Sequence, residues 1–363
     1  MKKSSSILLI IAGGCVAVGV LLCVLSATLL ACLPSQWNVE DYHTVNHTVT
    51  DPFTNIRIEG DPSSDVTLLP AKEGQQYLVV IHEQEKQPHT VRVENGTLII
   101  NRRDEREWYD HISLFSFSSP KITVYLPETT YESLYVNSNT GDVETHGSLT
   151  FGNVDIHTDT GDITLKSQIT GILTAKVDTG KIDVWGVNSD SVTLSADTGD
   201  ISLYNAQIKG DVTVTTDTGH QTISNLQCRN LTLKCTTGGL TCESVQIDES
   251  LQFKSSSGRV SLSKVRCGTV HGKASTGDID CSDLIATGEL RMETSTGDIT
   301  LAASDAATLN IKTDTGDVEG SLLSEKIFYT ESDTGHIRVP KSTSGGICEV
   351  ITDTGSITFE ILS

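Results

Sequence analysis

Apolar and polar side chains alternate on both sides of an Asp-Thr-Gly turn that recurs along most of the chain. The second and fourth residues after the turn glycine are apolar in nearly every copy, as in Ile163 and Leu165 after Gly161. The seventh and fifth residues before the next turn glycine are also apolar, as in Leu173 and Ala175. An alternation of period two is typical of β-strands with one buried face. Each turn is therefore predicted to join two such strands.

The turn glycines follow one another at intervals of 19 or 20 residues. They are Gly141, Gly161, Gly180, Gly199, Gly219, Gly238, Gly258, Gly277, Gly297, Gly316, Gly335 and Gly355. A single coil cannot bury its own apolar face, whereas stacked coils share a continuous core. The pattern predicts an all-β chain with a parallel β-solenoid of about twelve rungs over residues 134–363. A stack of hairpins stays open, because the sequence period does not define the geometry of a coil.

The composition of the turn has a structural explanation. The aspartate before the threonine can accept a backbone hydrogen bond from the N–H two residues on, and glycine supplies the positive φ of a tight corner. We therefore expect a structural role for one set of glycines. These are Gly161, Gly180, Gly199, Gly219, Gly277, Gly297, Gly316, Gly335 and Gly355.

Residues 51–133 alternate like strands but lack the glycine period. The Asn95-Gly96 dipeptide between two apolar runs is a strong hairpin signal. We expect this segment to be an irregular β cap that covers the open end of the solenoid, since terminal repeats need a capping element. Residues 34–50 are polar and are predicted to be a linker.

The N-terminal region is predicted to anchor the chain in a membrane. Residues Ile7 to Leu33 form a run of 27 without a charge, which is long enough to cross the roughly 30 Å core of a bilayer as a helix. Lys2 and Lys3 precede the run, so residues 1–6 are predicted to be cytoplasmic and the bulk of the chain extracytoplasmic. A cleaved signal peptide and a lipoprotein signal that ends at a lipidated Cys32 are the alternatives.

The formal net charge of the chain is −21 at pH 7. Nucleic acids and anionic lipids select basic surfaces, so neither is an expected partner. A solvated, self-repelling surface is the simplest explanation of this charge. Calcium or a cationic component of the cell wall are the functional alternatives.

Six cysteines lie beyond the apolar N-terminal run, at Cys228, Cys235, Cys242, Cys267, Cys281 and Cys348. Cys242 and Cys281 occupy one inward column two rungs apart, which is roughly 9.6 Å and too far for a disulfide. We therefore expect free, buried thiols, with a Cys235–Cys242 bridge left open. No C-x-x-C pair or histidine cluster accompanies them to indicate a metal site.

Three kinds of chemistry can be compared with this pattern. Asp-Thr-Gly also occurs in aspartic proteases, but these need two loops that share one proton, and seven registered copies cannot all form such a pair. No cofactor is predicted; calcium is the alternative, with candidate ligands Asp159, Asp178, Asp197 and Asp217 in one column of the stack. Polysaccharide-cleaving β-helix enzymes are an alternative by fold analogy alone.

The order of motifs resembles that of a known family. The run Ile122-Thr123-Val124-Tyr125-Leu126-Pro127 precedes serial Thr-Gly-Asp-Ile and Thr-Gly-Asp-Val turns. In this respect residues 53–363 resemble the bacterial putative-adhesin family of β-strand-repeat proteins. The resemblance implies a surface β-solenoid without established catalysis, and some family members are linked to envelope-stress signalling.

These observations predict a single-pass membrane protein with a non-enzymatic, adhesin-like or scaffolding solenoid on the cell surface. The expected partners are a cell-wall glycan or a surface protein, and the oligomeric state is left open. Positive charge is concentrated from Lys234 to Arg291, which makes the outward face of these coils the expected binding surface. The alternative is an accessory protein for envelope-stress sensing that works through a membrane partner.

Overall fold

The computed structural model describes residues 42–61, 63–72, 77–85, 87–103 and 120–362, and every regular element among them is a β-strand. The first nine strands are β1 Tyr42–Val49, β2 Asn55–Asp61, β3 Asp65–Pro70, β4 Tyr77–Gln84, β5 His89–Glu94, β6 Thr97–Arg102, β7 Lys121–Leu126, β8 Thr130–Thr140 and β9 Val143–Thr145. The next nine are β10 Thr150–Thr160, β11 Ile163–Leu165, β12 Gln168–Ile169, β13 Ile172–Thr179, β14 Ile182–Trp185, β15 Asn188–Ser189, β16 Ser191–Thr198, β17 Ile201–Ile208 and β18 Asp211–Thr218. The remainder are β19 Gln221–Thr237, β20 Leu240–Ser257, β21 Val260–Cys267, β22 Thr269–Thr276, β23 Ile279–Thr296, β24 Ile299–Thr315, β25 Val318–Leu322, β26 Lys326–Thr334, β27 Ile337–Arg338, β28 Gly346–Thr354 and β29 Ile357–Ile361.

Successive repeats stack as coils in parallel register. Leu173 of β13 lies beside Val192 of β16, which lies beside Val212 of β18, so residues 19 or 20 apart in the chain become neighbours in the sheet. The same holds on the other side of the corner, where Ile182 lies beside Ile201. Parallel pairing between consecutive repeats excludes the alternative stack of hairpins. The predicted parallel β-solenoid is confirmed, with about eleven turns rather than the predicted twelve rungs.

The core is a set of inward columns. Within one coil Ile201, Leu203, Val212 and Val214 are each at most 1% exposed. Each of these side chains packs over its counterparts in the coils above and below, because the parallel register brings like positions together. Burial of a side chain of this kind stabilises a fold by about 1.5–3 kcal/mol. Repetition of these columns gives the solenoid a single continuous core.

A second corner follows the turn glycine by six residues. Asn205, Asn225, Ser244, Lys264, Asp283 and Ala303 all have φ between 48° and 56° there. Asparagine tolerates this left-handed conformation better than most residues do. The Asn225 side chain also donates from Nδ2 to Asn205 Oδ1 at 3.0 Å, which links two successive coils at the corner.

The solenoid extends further toward the N-terminus than the predicted boundary at residue 134. Strands β2 and β3 run parallel to β8 and β9, and β6 and β7 run parallel to β2 and β3. Ser64 occupies the place of the corner glycine in the first of these coils, since its carbonyl lies against Gly141. The glycine period is therefore absent from the sequence although the coil is present.

The coils at both ends are not in chain order. At the C-terminal end β28 pairs with β24 on one edge and with β26 on the other, so the last segment of the chain is inserted before the segment that precedes it. At the other end β2 lies between β6 and β8. In both places the inserted strand is hydrogen-bonded along both edges. The outermost position is taken by an internal segment of the chain, which contains β26 at the C-terminal end and β6 at the other end.

Antiparallel strands cover the N-terminal end. Strand β4 is antiparallel to β7, β1 is antiparallel to β4, and β5 forms a hairpin with β6 through Asn95 and Gly96. Part of the predicted linker, residues 42–49, is thus strand β1. The predicted tail, the predicted anchor at residues 7–33 and Cys32 lie outside the described residues. Within the described part of the chain, no helix has the length and apolarity needed to cross a bilayer.

The inserted strand should exchange its amide hydrogens more slowly than the outer one. Residues 346–354 have sheet partners on both edges, whereas residues 326–334 have them on one. We expect hydrogen–deuterium exchange of the full chain to show slower exchange in 346–354, because an unpaired edge opens without breaking the sheet. Equal or inverted protection of the two segments would contradict the described order of coils.

Candidate functional site

The predicted corner glycines form one column along the solenoid. Eleven of the twelve have φ between 133° and 155°, and Gly335 in the outermost coil is the exception. A Cβ on Gly199 would lie 1.8 Å from the carbonyl oxygen of Gly180 in the adjacent coil. The corner therefore requires glycine both for its φ and for the close approach of the neighbouring backbone.

The corner carbonyls also accept hydrogen bonds from inside the coil. Thr313 Oγ1 donates to the carbonyl of Gly297 at 3.2 Å, and Thr352 Oγ1 donates to that of Gly316 at 3.1 Å. These hydroxyls sit three residues before their own turn glycine and are buried. They satisfy a polar group at the edge of an apolar core, where an unpaired one would be costly.

The aspartate that caps the corner is the one after the glycine. Asp162 accepts a 2.8 Å hydrogen bond at Oδ1 from the backbone N–H of Lys181 in the next coil. Asp200 accepts one of 2.8 Å from the N–H of His220 in the same way. The prediction that the aspartate before the threonine accepts a backbone N–H two residues on is wrong for the stacked corners, because the N–H of the turn glycine donates to a threonine carbonyl of the next coil, as from Gly161 to Thr179 at 3.0 Å. That aspartate is a surface residue, and the cap joins neighbouring coils instead.

The calcium candidates Asp159, Asp178, Asp197 and Asp217 lie in one outward column, as predicted from their spacing. Asp159 is 3.4 Å from His157, and Asp178 is 3.1 Å from Lys176. Over the described ranges no group of three or more His, Cys, Asp or Glu side chains is arranged to hold a metal ion. The calcium assignment stays a prediction, without a ligand set around it.

Lysines replace other residues in one outward column of the middle coils. Lys234 lies beside Lys254, and Lys254 lies beside Lys273, in three consecutive coils. The adjacent column carries His271 beside Arg291. We call these five residues the basic strip. At the spacing of parallel strands its lysines are about 4.8 Å apart along the solenoid axis.

In the coils of the basic strip, the aspartates of two neighbouring columns are replaced by residues that are not acidic. The outward column that carries Asp197 and Asp217 continues as Thr236, Ser256 and Ser275. The capping aspartate after the glycine is also replaced in these coils, by His220, Gly239 and Arg259. The strip is thus a local basic region on a chain of net charge −21.

Two glutamates close the strip on its C-terminal side. Glu293 lies 3.4 Å from Lys273 and 2.5 Å from Arg291, and the hydrogen bond from Arg291 is the main cause of a lowered pKa of Glu293. Glu289 lies 3.4 Å from His271. By contrast, no carboxylate of a described residue comes within 4.0 Å of the ammonium of Lys234 or Lys254. Those two charges are available to a ligand.

One family model matches nearly the whole of the solenoid. The model of Toastrack DUF4097 matches residues 53–216 and 188–360. The chain belongs to the Toastrack DUF4097 family. The resemblance predicted from the Leu-Pro motif and the Thr-Gly-Asp turns is thereby confirmed. A comparison with curated proteins gives no match.

Solved structures similar to this Toastrack chain include two proteins described as adhesins. One is a putative adhesin from Bacteroides fragilis NCTC 9343, with 11% identity, a TM-score of 0.34, and coverage of 88% of this chain and 98% of that one. The other is a putative adhesin from Parabacteroides merdae ATCC 43184, with 14% identity, a TM-score of 0.39, and coverage of 77% and 96%. A putative cell adhesion protein from Clostridium sporogenes ATCC 15579 has 9% identity, a TM-score of 0.18, and coverage of 89% and 100%.

All six cysteines of the Toastrack region are free and buried, as predicted, so the alternative Cys235–Cys242 bridge is not formed. Burial raises the pKa of Cys228, Cys242 and Cys348 to about 12 and that of Cys267 to about 11. Neutral thiols of this kind are poor nucleophiles and poor metal ligands. They serve as small apolar side chains in the core.

One groove near the C-terminal end of the Toastrack fold contains a buried ion pair. Lys326 lies 2.5 Å from Asp305, and its side chain is only 3% exposed. Ser324 accepts a further hydrogen bond from Lys326 Nζ at 2.5 Å. Both charges are satisfied by each other and by the fold. The groove therefore contains a lysine whose charge is compensated within the fold, and we interpret the pair as structural.

The corner glycines should be intolerant of a side chain. Gly199→Ala combines a φ of 142° with a backbone contact at 1.8 Å, so we expect the free energy of unfolding to fall by about 2–5 kcal/mol. The measurement is urea unfolding of the full chain followed by circular dichroism. Gly186→Asn is the control, because Gly186 has φ 69° and open space, and its loss should stay below about 0.5 kcal/mol. Equal losses would contradict the packed corner.

The buried thiols should make the fold less stable in alkali. Unfolded thiols ionise near pH 8.5, whereas the folded ones keep their protons to about pH 11 or 12, so stability is constant below pH 8.5 and falls as the pH rises above it. Each thiol should contribute about 1.4 kcal/mol per pH unit in that window. Urea unfolding at pH 8, 9 and 10 measures the slope. The Cys242→Ala variant should have a shallower slope than the unaltered chain, and an unchanged slope would show that Cys242 is not a buried thiol.

Proposed function

We propose that this protein is a non-enzymatic surface-binding module whose basic strip binds an anionic polymer of the cell envelope. The observation that carries the proposal is the column of Lys234, Lys254 and Lys273 in three consecutive coils. Like charges about 4.8 Å apart repel one another in the free protein. A ligand with negative charges at a similar spacing offsets this repulsion, and binding of such a ligand is therefore favourable.

The shape of the strip supports a linear ligand. Its lysines lie on a sheet face and follow the solenoid axis, so a polymer chain running along that axis meets each ammonium in turn. The neighbouring side chains Gln252, Ser256 and Ser275 carry hydrogen-bonding groups that suit the hydroxyls of a polysaccharide. A carboxylated or phosphorylated cell-wall glycan has both features. This ligand class also agrees with the excess of negative charge elsewhere on the chain, which disfavours unspecific binding of polyanions.

The proposed location is the outer side of a membrane. Residues 7–33 are the proposed anchor, with residues 1–6 on the cytoplasmic side, and Cys32 is the proposed lipidation site if the chain is processed as a lipoprotein. Either route leaves the solenoid facing the cell wall, where anionic polymers are found. The support for this placement is the uncharged run and the lysines that precede it.

Binding should depend on the strip and not on total charge. The full chain is run by affinity electrophoresis through gels that contain alginate, a carboxylated glycan, or poly(glycerol phosphate), with retardation as the readout. The variant Lys234→Gln/Lys254→Gln should bind about fivefold more weakly, since each exposed and unpaired charge contributes about 0.5 kcal/mol. Added salt should weaken the binding further, because screening acts on exposed charges.

The matched control changes two lysines outside this column that already have carboxylate partners. Lys121 and Lys209 lie 3.7 and 2.8 Å from Asp65 and Asp190. Their combined change to glutamine alters the net charge equally and should reduce binding less than twofold. Equal loss in both variants, or no retardation by either polymer, would refute the strip as the binding site. Release of shortened glycan would refute the non-enzymatic assignment.

A further inference from the structure

A second surface of the solenoid carries a stacked aromatic pair. Trp185 at the end of β14 lies beside Tyr204 of β17 in the next coil. Their ring centroids are 4.2 Å apart with an interplanar angle of 27°. Trp185 is 42% exposed, although a tryptophan buries more apolar area than most residues when it is covered. The pair is therefore an apolar platform at the surface of a chain with only 5% aromatic residues.

The platform is bounded by small or already paired side chains. In the coil after Tyr204 the same column holds Ser224, which leaves room over the free face of the tyrosine ring. In the coil before Trp185 the equivalent residue is Lys166, whose ammonium is bound to Glu144 at 2.9 Å. Stacked rings cover one face of each other, so each ring keeps one face for another group. A flat apolar ligand can use the face of Tyr204 above Ser224.

Polar groups lie on both sides of the aromatic pair. Asp183 and Ser202 are neighbours one outward position nearer the glycine corner, and Asp183 is partly exposed. On the other side Asn205 is exposed at the second corner, where its φ is 55°. Asn188 is also exposed there, and its Nδ2 donates to Gln168 Oε1 at 3.2 Å. A ligand on the rings would thus meet carboxylate, hydroxyl and amide groups along its edges.

We propose that Trp185 and Tyr204 form a binding site for a neutral hexopyranose unit of a glycan. A pyranose has one face of C–H groups that packs on an aromatic ring and a rim of hydroxyls that bind carboxylates and amides. Apolar contact with a few placed polar groups is the general design of a small-ligand site. An anionic sugar is disfavoured, because Asp183 is two residues from Trp185 and Lys166, the cation in the column of the pair, is held by Glu144. A neutral sugar satisfies both the rings and the rim.

This site is independent of the basic strip. The strip lies before the turn glycine on the strands from β19 to β23, whereas the aromatic pair lies after it on β14 and β17. The two sites should therefore respond to different ligands and different substitutions. Failure of one leaves the other standing, and both can be measured on the same preparation.

Isothermal titration of the full chain with cellohexaose, maltohexaose and chitohexaose tests the proposal. We expect saturable binding of at least one of these neutral glycans, and at least a tenfold loss of affinity in Trp185→Ser and in Tyr204→Ser. Serine is the residue of this column in the next coil, so both variants should fold, as circular dichroism and urea unfolding would verify. Tyr329→Ser is the control, because Tyr329 is a 59% exposed aromatic outside the pair.

The remaining outcomes overturn the proposal. Failure of all three glycans to bind the unaltered chain would refute a neutral-sugar site. Binding that survives in both Trp185→Ser and Tyr204→Ser, or that is lost equally in Tyr329→Ser, would place the sugar elsewhere. The lysine variant of the basic strip should keep neutral-glycan binding within twofold, while the aromatic variants should keep alginate binding. A joint loss in either variant would contradict two separate sites.

Discussion

The contact on which the structure depends is the approach of one corner glycine to the carbonyl of the corner in the adjacent coil. In the column from Gly161 to Gly316 an added Cβ would lie between 1.8 and 2.3 Å from that oxygen. The backbone can therefore stack at this distance only where no side chain is present. Because the successive coils from Gly141 to Gly316 pass through the same point, the residues on either side are aligned in register. Apolar residues become continuous columns inside, and polar residues become continuous columns outside.

Aligned columns explain both the stability of the fold and its surface chemistry. The inner hydroxyls of Thr313 and Thr352 bind the corner carbonyls, and the capping aspartates Asp162 and Asp200 bind the next coil from outside. A change of residue type in a few successive repeats then produces a linear surface feature. The basic strip and the aromatic pair are both of this kind. Binding properties can thus vary from coil to coil without a change of backbone.

The sequence predicted the features that repeat, and missed those that depend on partners distant in the chain. The period of the glycines and the alternation around them predicted the parallel coils and the buried columns. The insertion of β28 between β24 and β26 has no local signal, because parallel strands of either order satisfy the same pattern. The coil that contains Ser64 was missed because it lacks glycine at the corner. The second corner leaves no single motif in the sequence, because its left-handed residues vary from Asn205 to Ala303.

The candidate sites also differ in whether their signal lies in the local sequence or depends on residues of the next coil. The concentration of positive charge between Lys234 and Arg291 was visible in the sequence, and the register then showed that the lysines form one column. The aromatic pair was not predicted, although Trp185 and Tyr204 are one period apart and occupy the same place relative to their glycines. The capping role of the aspartate after the glycine was also missed, since it requires the next coil. A column-by-column comparison of the repeats is the signal that could have found both.

A surface column of the solenoid is proposed to bind a linear polymer that lies along the solenoid axis. A crystal structure of the full chain with a bound alginate oligosaccharide tests this proposal most directly. We predict that successive carboxylates of one sugar chain contact Lys234, Lys254 and Lys273 in order, with the chain parallel to the solenoid axis. A ligand that crosses the strands, or that binds away from these lysines, would contradict the account.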